Sequence, residues 1–206
     1  MIGEGKQRIV MSVILMAVFF VSCSLGMKNM EQSTDLGLPT NMTQDFGKAA
    51  KPGVEVIMNK LDDQRLEKWW MELSMQTVKH IYIDPSIDLP GQISGVISSE
   101  LERANFKVIR GSNQTDPIRP VLSGVITNYS VVLKQVCTGK ISLDMTLTKG
   151  DTVLIKKTYV GVVTKEPDFS WLSHGQENSI ALLREAWDKL LSQMMPEVIE
   201  TINKNW

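Results

Sequence analysis

Thiol or imidazole chemistry in this 206-residue chain would have to use Cys23, Cys137, His80 or His174, since no other cysteine or histidine is present. A cysteine nucleophile needs a base within hydrogen-bond reach. Cys137 stands at a turn or strand end, and the two histidines lie on different elements, so the sequence builds no such pair. Gly91-Gln92-Ile93-Ser94-Gly95 misses the nucleophile elbow because its serine falls one place late. Asp84 and Asp88 read as strand-stop and helix-start residues rather than as an acid pair. His-Glu-x-x-His, Cys-x-x-Cys and phosphate-cradling glycine patterns are all absent. The expectation is no enzyme, no cofactor and no metal site.

Cys23 is of another kind. Lys6 and Arg8, diluted by Glu4, precede an apolar run from Ile9 to Val21 that only Ser12 interrupts. The run is short of the ~20 apolar residues that span a bilayer and suits a signal-peptide core. Its end, Phe20-Val21-Ser22-Cys23, resembles a bacterial lipobox, with Phe20 where leucine is usual. The resemblance implies removal of residues 1–22 and acylation of Cys23 with palmitate-type chains, each worth ~0.8 kcal/mol per buried methylene. An ordinary secretory signal or a short inner-membrane anchor is the other reading of the same run. Ser24 stands where inner-membrane retention usually goes with aspartate. The resemblance therefore implies the periplasmic side of the outer membrane. With Cys23 lipidated, Cys137 is left alone and no intramolecular disulfide can form. A net charge of −1 gives no electrostatic case for nucleic acid.

The elements behind these residues follow from periodicity. Residues 23–53 are polar, with scattered Gly and Pro, and read as a flexible tether. Residues 54–77 read as an amphipathic, Trp-rich helical segment: Leu66, Trp69, Trp70 and Leu73 fall at i, i+3, i+4 and i+7. Residues 78–206 read as an α/β sandwich domain. VKHIYID is a strand stopped at Asp84-Pro85, and Asp88 opens a helix through Ile93, Val96, Ile97, Leu101 and Ala104. Phe106-Lys107-Val108-Ile109 starts a second strand. Val121–Val136 follows, with Gly124 as an expected bulge. Ile141, Leu143, Met145 and Leu147 alternate with Ser142, Asp144, Thr146 and Thr148, one face buried and one wet. Lys149-Gly150-Asp151 turns the chain into a hairpin partner, Val153–Val163. A last helix runs from about Gln176 to Asn203, with Pro196 expected to kink it or start a new turn.

The predicted fold is a two-layer α/β (α+β) sandwich. It has a mixed, mostly antiparallel sheet of about five strands, two long helices on one face, and an extra amphipathic helix ahead of them. HIYID, GQISGVISSELERANFKVI, the alternating strands and SIALLREAWDKLLSQM resemble the YajG-type outer-membrane lipoproteins. They also resemble the auxiliary lipoproteins of ABC transporters and, distantly, the TolB amino-terminal fold. The resemblance covers about residues 78–204 and carries over no catalytic residue. It implies a non-enzymatic envelope lipoprotein with an assembly or accessory role in a larger machine for transport, secretion, flagellar function or polymer export. Expected partners are the membrane, other envelope proteins and copies of the same chain. Aromatic residues are enriched at interface cores. Trp69, Trp70, Phe169, Trp171 and Trp206 are accordingly the candidate contacts, with core packing the alternative for Trp69, Trp70 and Trp187. The alternative function is lipid or glycan binding, in an apolar cavity between sheet and helix.

Overall fold

A computed structural model describes residues 36–39, 44–74, 78–111, 113–167 and 174–206. Cys23, Phe169 and Trp171, the leading segment and the first part of the expected tether lie outside them. The order is β1 (Glu55–Asn59), β2 (Asp62–Asp63), β3 (Trp69–Ser74), β4 (Val78–Tyr82), α1 (Leu89–Arg103), β5 (Lys107–Gly111), β6 (Pro120–Leu133), β7 (Cys137–Lys149), β8 (Thr152–Lys165) and α2 (Gly175–Asn205).

β6 is the spine of one eight-stranded, curled sheet. One of its edges is fully paired with β7, and β7 with β8, as the expected antiparallel meander. Its other edge is covered piecewise and in parallel. Ile57 of β1 pairs with Val121, Asp62 of β2 with Val125, and Met71 of β3 with Val131. Residues 55–74 thus run as one interrupted strand along β6. β5 lies parallel outside β1, and β4 lies antiparallel outside β3.

This overturns the helix expected within residues 54–77. The residues that matched a helical stripe are spent differently. Trp69 pairs with Tyr82, Leu73 pairs with Lys79, and Trp70 sits in the register shift between them and is buried. The physical reason is β6. A 14-residue strand with one edge on β7 leaves a row of unmatched backbone groups on the other. A segment rich in aromatics fits that pleated surface better than the helix its spacing allows. The sheet is correspondingly wider than the five strands expected, and curled rather than flat.

α1 and its flanks form as expected. Asp88 accepts the Gly91 amide at 3.1 Å as N-cap, Pro90 sits in the first turn, and Asn105 ends the helix at φ 69°. The bulge expected at Gly124 is instead between Ile126 and Asn128. Gly124 is needed for space, since a Cβ there would lie 2.5 Å from the Asp144 carbonyl oxygen. α2 runs unbroken through Pro196, so no separate turn starts there. Pro196 faces solvent, so the carbonyl it leaves without a donor can bond water.

α2 lies almost on the backbone of the meander. A Cβ on Gly161 of β8 would be 1.9 Å from the Ala186 carbonyl oxygen, and one on Gly139 of β7 would be 3.1 Å from that of Leu182. Around this seat, Trp187, Leu183, Leu190, Met194 and Tyr129 form the centre of the core. The expected tether is also corrected over its described part. Leu36, Phe46 and Ala49 are buried in the core cluster. Ala49 N donates to Ala104 O (2.7 Å), Ala50 N to Asn203 Oδ1 (2.7 Å) and Gly53 N to Asn105 O (3.2 Å). This strap ties the carboxyl ends of α1 and α2 together.

Gly161→Ala should destabilise the domain by about 3 kcal/mol, lowering Tm by roughly 6–12 °C, because backbone must move to admit the methyl group. Gly95→Ala, in α1 with nothing within 4 Å of the added carbon, should instead stabilise by about 0.5–1 kcal/mol. Thermal melts of the two variants check both signs.

Candidate functional site: the open face of the sheet

The helices cover one face of the sheet and leave the other open. On β7, Ile141, Leu143, Met145 and Leu147 point to the helices, while Ser142, Asp144, Thr146 and Thr148 alternate onto the open face. The wet side predicted from the alternation is therefore this surface. Register sets its rows. Thr158, Asp144, Val125 and Asp62 lie side by side across four strands, and Lys156, Thr146 and Ser123 form the next row. Together with Asn113 and Gln114 they line a groove of about 650 Å³. Asn59 fixes one wall: its side-chain amide donates to Gln114 O at 2.9 Å and accepts the Gln114 amide at 3.0 Å. Thr158 Oγ1 donates to Asp144 Oδ1 at 2.6 Å. The groove offers hydroxyl, amide, carboxylate and ammonium groups, which suits polar recognition.

The other half of the open face is aromatic. Trp69 stacks on His80 with ring centroids 5.1 Å apart and planes 7° from parallel. His80 Nε2 is 3.4 Å from Glu72 Oε2, and Lys134 Nζ is 2.8 Å from Glu72 Oε1. The Lys134 hydrogen bond, aided by His80, holds the Glu72 carboxyl below the usual range. Tyr82 completes the corner.

Between β2 and β3, Asp63 and Arg65 form a largely buried ion pair. Burial alone would raise the pKa of Asp63. Hydrogen bonds from Arg65 (Nε–Oδ1 and Nη2–Oδ2, both 2.9 Å) and the ion pair with Lys68 (3.2 Å) outweigh it and hold the pKa at about 2. Arg65 is 6% exposed, yet its neighbour Leu66 is 97% exposed. The pair fixes the shape of the loop on which Leu66 stands.

The predicted contacts are dispersed. Trp70 and Trp187 are core residues, and Trp69 is half-buried on the open face. Trp206 is docked within its own chain: its indole N–H donates to Ile118 O, and Lys149 Nζ lies 4.8 Å from its ring centroid. Cys137 is 2% exposed, and burial raises its pKa, which disfavours the thiolate. It pairs with Leu133, Leu133 with Leu73, and Leu73 with Lys79. Three strand spacings, roughly 14 Å, therefore separate it from the His80 strand, and His80 is on the opposite face. Among the described residues, no group of three or more His, Cys, Asp or Glu could hold a metal ion. Arg65, Glu72, Lys134 and Tyr82 escaped sequence reasoning. The first two sat in the presumed helix, and a hairpin reading of residues 69–82 would have found Glu72 and Tyr82 but not Arg65 or Lys134.

Asp63→Asn should cost about 3 kcal/mol by stranding buried Arg65. Asp63 has a depressed folded pKa, so its contribution is full above the unfolded value near 3.8 and lost as pH falls towards 2. Denaturation midpoints measured down that window should flatten in the variant.

No family model and no curated protein matches this chain. Solved structures do. It is similar to protein XCC0632 of Xanthomonas campestris, of family DUF330, at 12% identity and TM-score 0.47, covering 74% of this chain and 88% of that one. It is also similar to hypothetical protein CT253 of Chlamydia trachomatis, at 14% identity and TM-score 0.49, covering 75% and 100%. Lipoprotein GNA1162 of Neisseria meningitidis matches at 9% identity and TM-score 0.37, covering 63% and 96%. At these identities and TM-scores the likenesses carry no statement about activity or partner.

Proposed function

We propose that this chain is an envelope lipoprotein, acylated at Cys23 and held on the periplasmic side of the outer membrane. There it serves as a non-enzymatic accessory or assembly subunit. The observation that carries this reading is the run Lys6–Cys23, a charged start and a short apolar core ending in Val-Ser-Cys. The strap supports it. Residues 36–39 and 44–53 dock onto both helices, so an anchor upstream of Leu36 would hold the domain by a built-in attachment. No described helix is long and apolar enough to cross a membrane.

Function then rests on contact with a larger envelope assembly. Of the aromatic candidates, Trp69 on the open face and Trp171, which lies outside the described residues, are the proposed contact residues, whereas Trp70 serves the core. Glycan binding is the second reading, favoured by the hydroxyl- and amide-lined groove. The expectation from the sequence, for lipid and glycan binding alike, is an apolar cavity between sheet and helix. The two clearest cavities lie elsewhere, on the open face and between the strap and α1.

Cys23→Ala should move the protein from the membrane fraction to the soluble fraction and abolish incorporation of labelled palmitate. A variant that stays membrane-bound with an uncleaved amino terminus would refute the anchor. Trp69→Ala should keep its far-UV circular dichroism and lose co-purifying envelope proteins after crosslinking. Trp70→Ala should instead lose about 3–5 kcal/mol of stability.

A further inference from the structure

The groove on the open face presents a selective set of groups. One row of it, Asp62, Val125, Asp144 and Thr158, crosses four adjacent strands in register, a span of roughly 14 Å at ordinary strand spacing. Two carboxylates therefore stand with their Cα atoms about 10 Å apart and the apolar Val125 between them. Asp144 already accepts the Thr158 hydroxyl, and both carboxylates keep further acceptor sites. Lys156, in the next row beside Thr146 and Ser123, brings an ammonium group. Asp62 and Lys156 are exposed, and neither has an ion-pair partner among the described residues. Lys157, at the rim, is paired with Glu197 (2.6 Å). Gln114 closes one end, held at both its N–H and its C=O by the buried side chain of Asn59.

These groups narrow the ligand by chemistry. An apolar ligand would desolvate Asp62, Asp144 and three hydroxyls without pairing them. An anion would meet two carboxylates, and a compact cation would meet the Lys156 ammonium as well as the carboxylates. An extended peptide would find no backbone to pair with, because β6 and β7 are hydrogen-bonded to strands on both sides here and the groove lies on their face. A neutral ligand whose own groups both donate and accept matches the Ser123, Thr146 and Thr158 hydroxyls, which do the same. We propose that the groove is a binding site for a neutral oligosaccharide lying across the strands. Asp62 and Asp144 accept hydroxyl protons in charge-assisted hydrogen bonds, and Lys156 donates to a sugar oxygen. Val125 takes the C–H face of the sugar between the two carboxylates. The proposal rests on the glycan reading of this groove and not on the lipid anchor.

Titration of the full chain, in a detergent without a sugar headgroup, tests it. The probes are cellotetraose, maltotetraose and mannotetraose, with tetragalacturonate as the anionic counterpart. At least one neutral tetrasaccharide should bind with a dissociation constant of about 1 mM or tighter. It should shift the backbone amide resonances of residues 123–125, 144–148 and 156–158. Asp144→Ala should weaken binding about tenfold or more, the loss of a hydrogen bond to a charged group. Thr146→Trp, which fills the groove, should abolish it. Thr164→Trp, on the same face but about 20 Å along β8 from Thr158, should bind as the unaltered chain does. Far-UV circular dichroism should be the same for all three variants, and the amide map of the unaltered chain decides the site even where a variant does not fold. Neutral-sugar binding that leaves those amides unmoved overturns the site. Preferential binding of tetragalacturonate at those amides keeps the glycan reading and overturns the neutral class. Binding of none of the four at millimolar concentration overturns both.

Discussion

Everything in this domain is arranged around the contact of α2 with the backbone of the meander. Gly161 and Gly139 have no side chains, so the Ala186 and Leu182 turns of the helix settle directly onto the backbones of β8 and β7. Close approach brings Trp187 to Tyr129, ring centroids 6.4 Å apart, and draws Leu183, Leu190 and Met194 into the same layer. A packed interior has no slack for a displaced helix. The strap inherits the constraint, since Gly37, at φ 69°, lies against the Ile180 carbonyl and the Tyr129 hydroxyl donates to Leu36 O.

The second constraint is the long edge of β6. Its far side has to be paired, and residues 55–74 do it in three pieces. The gaps between pieces carry the unusual chemistry. After β1, Leu61 N donates to Ser94 Oγ (2.9 Å), linking the interrupted strand to α1. After β2, the Arg65–Asp63 pair turns the chain outward and leaves Leu66 in water. A single regular strand would have needed neither device. It would also have left the open face flatter and without its aromatic corner.

This explains where sequence reasoning succeeded. The meander was legible because I-S-L-D-M-T-L-T alternates without a fault and β7 really has one dry and one wet face. α1 was legible because Asp88, Pro90 and Asn105 act locally, through cap and backbone angle. Residues 54–77 were not, because their pattern serves two periods at once. Leu66, Trp69, Trp70 and Leu73 fit a helix stripe, and only the distant edge of β6 selects the strand. The strap was hidden for a similar reason. Leu36, Phe46 and Ala49 are too sparse to show a period, and their burial depends on a groove made by two helices far along the chain. Of the open face, the β7 residues could be read in advance. The Trp69–His80–Glu72–Lys134 corner could not, since it joins residues whose pairing follows from that same long-range choice.

The two sides of the sheet thus divide the work. On the helix side, α2 supplies apolar residues to the core and a polar row to the β8 edge, so one element both stabilises the fold and denies that edge to other strands. The strap ends on this side as well, tied to Arg103–Asn105 and Asn203–Trp206 through Lys48, Ala49, Ala50, Lys51 and Gly53. A force applied to the amino end is therefore met first at Leu36 and Gly37, by Tyr129 of β6 and the Ile180 turn of α2, and then by the ends of both helices. Held through its helix layer, as proposed, the domain would keep the open face of its sheet clear of the attachment, which is the condition a contact surface has to meet.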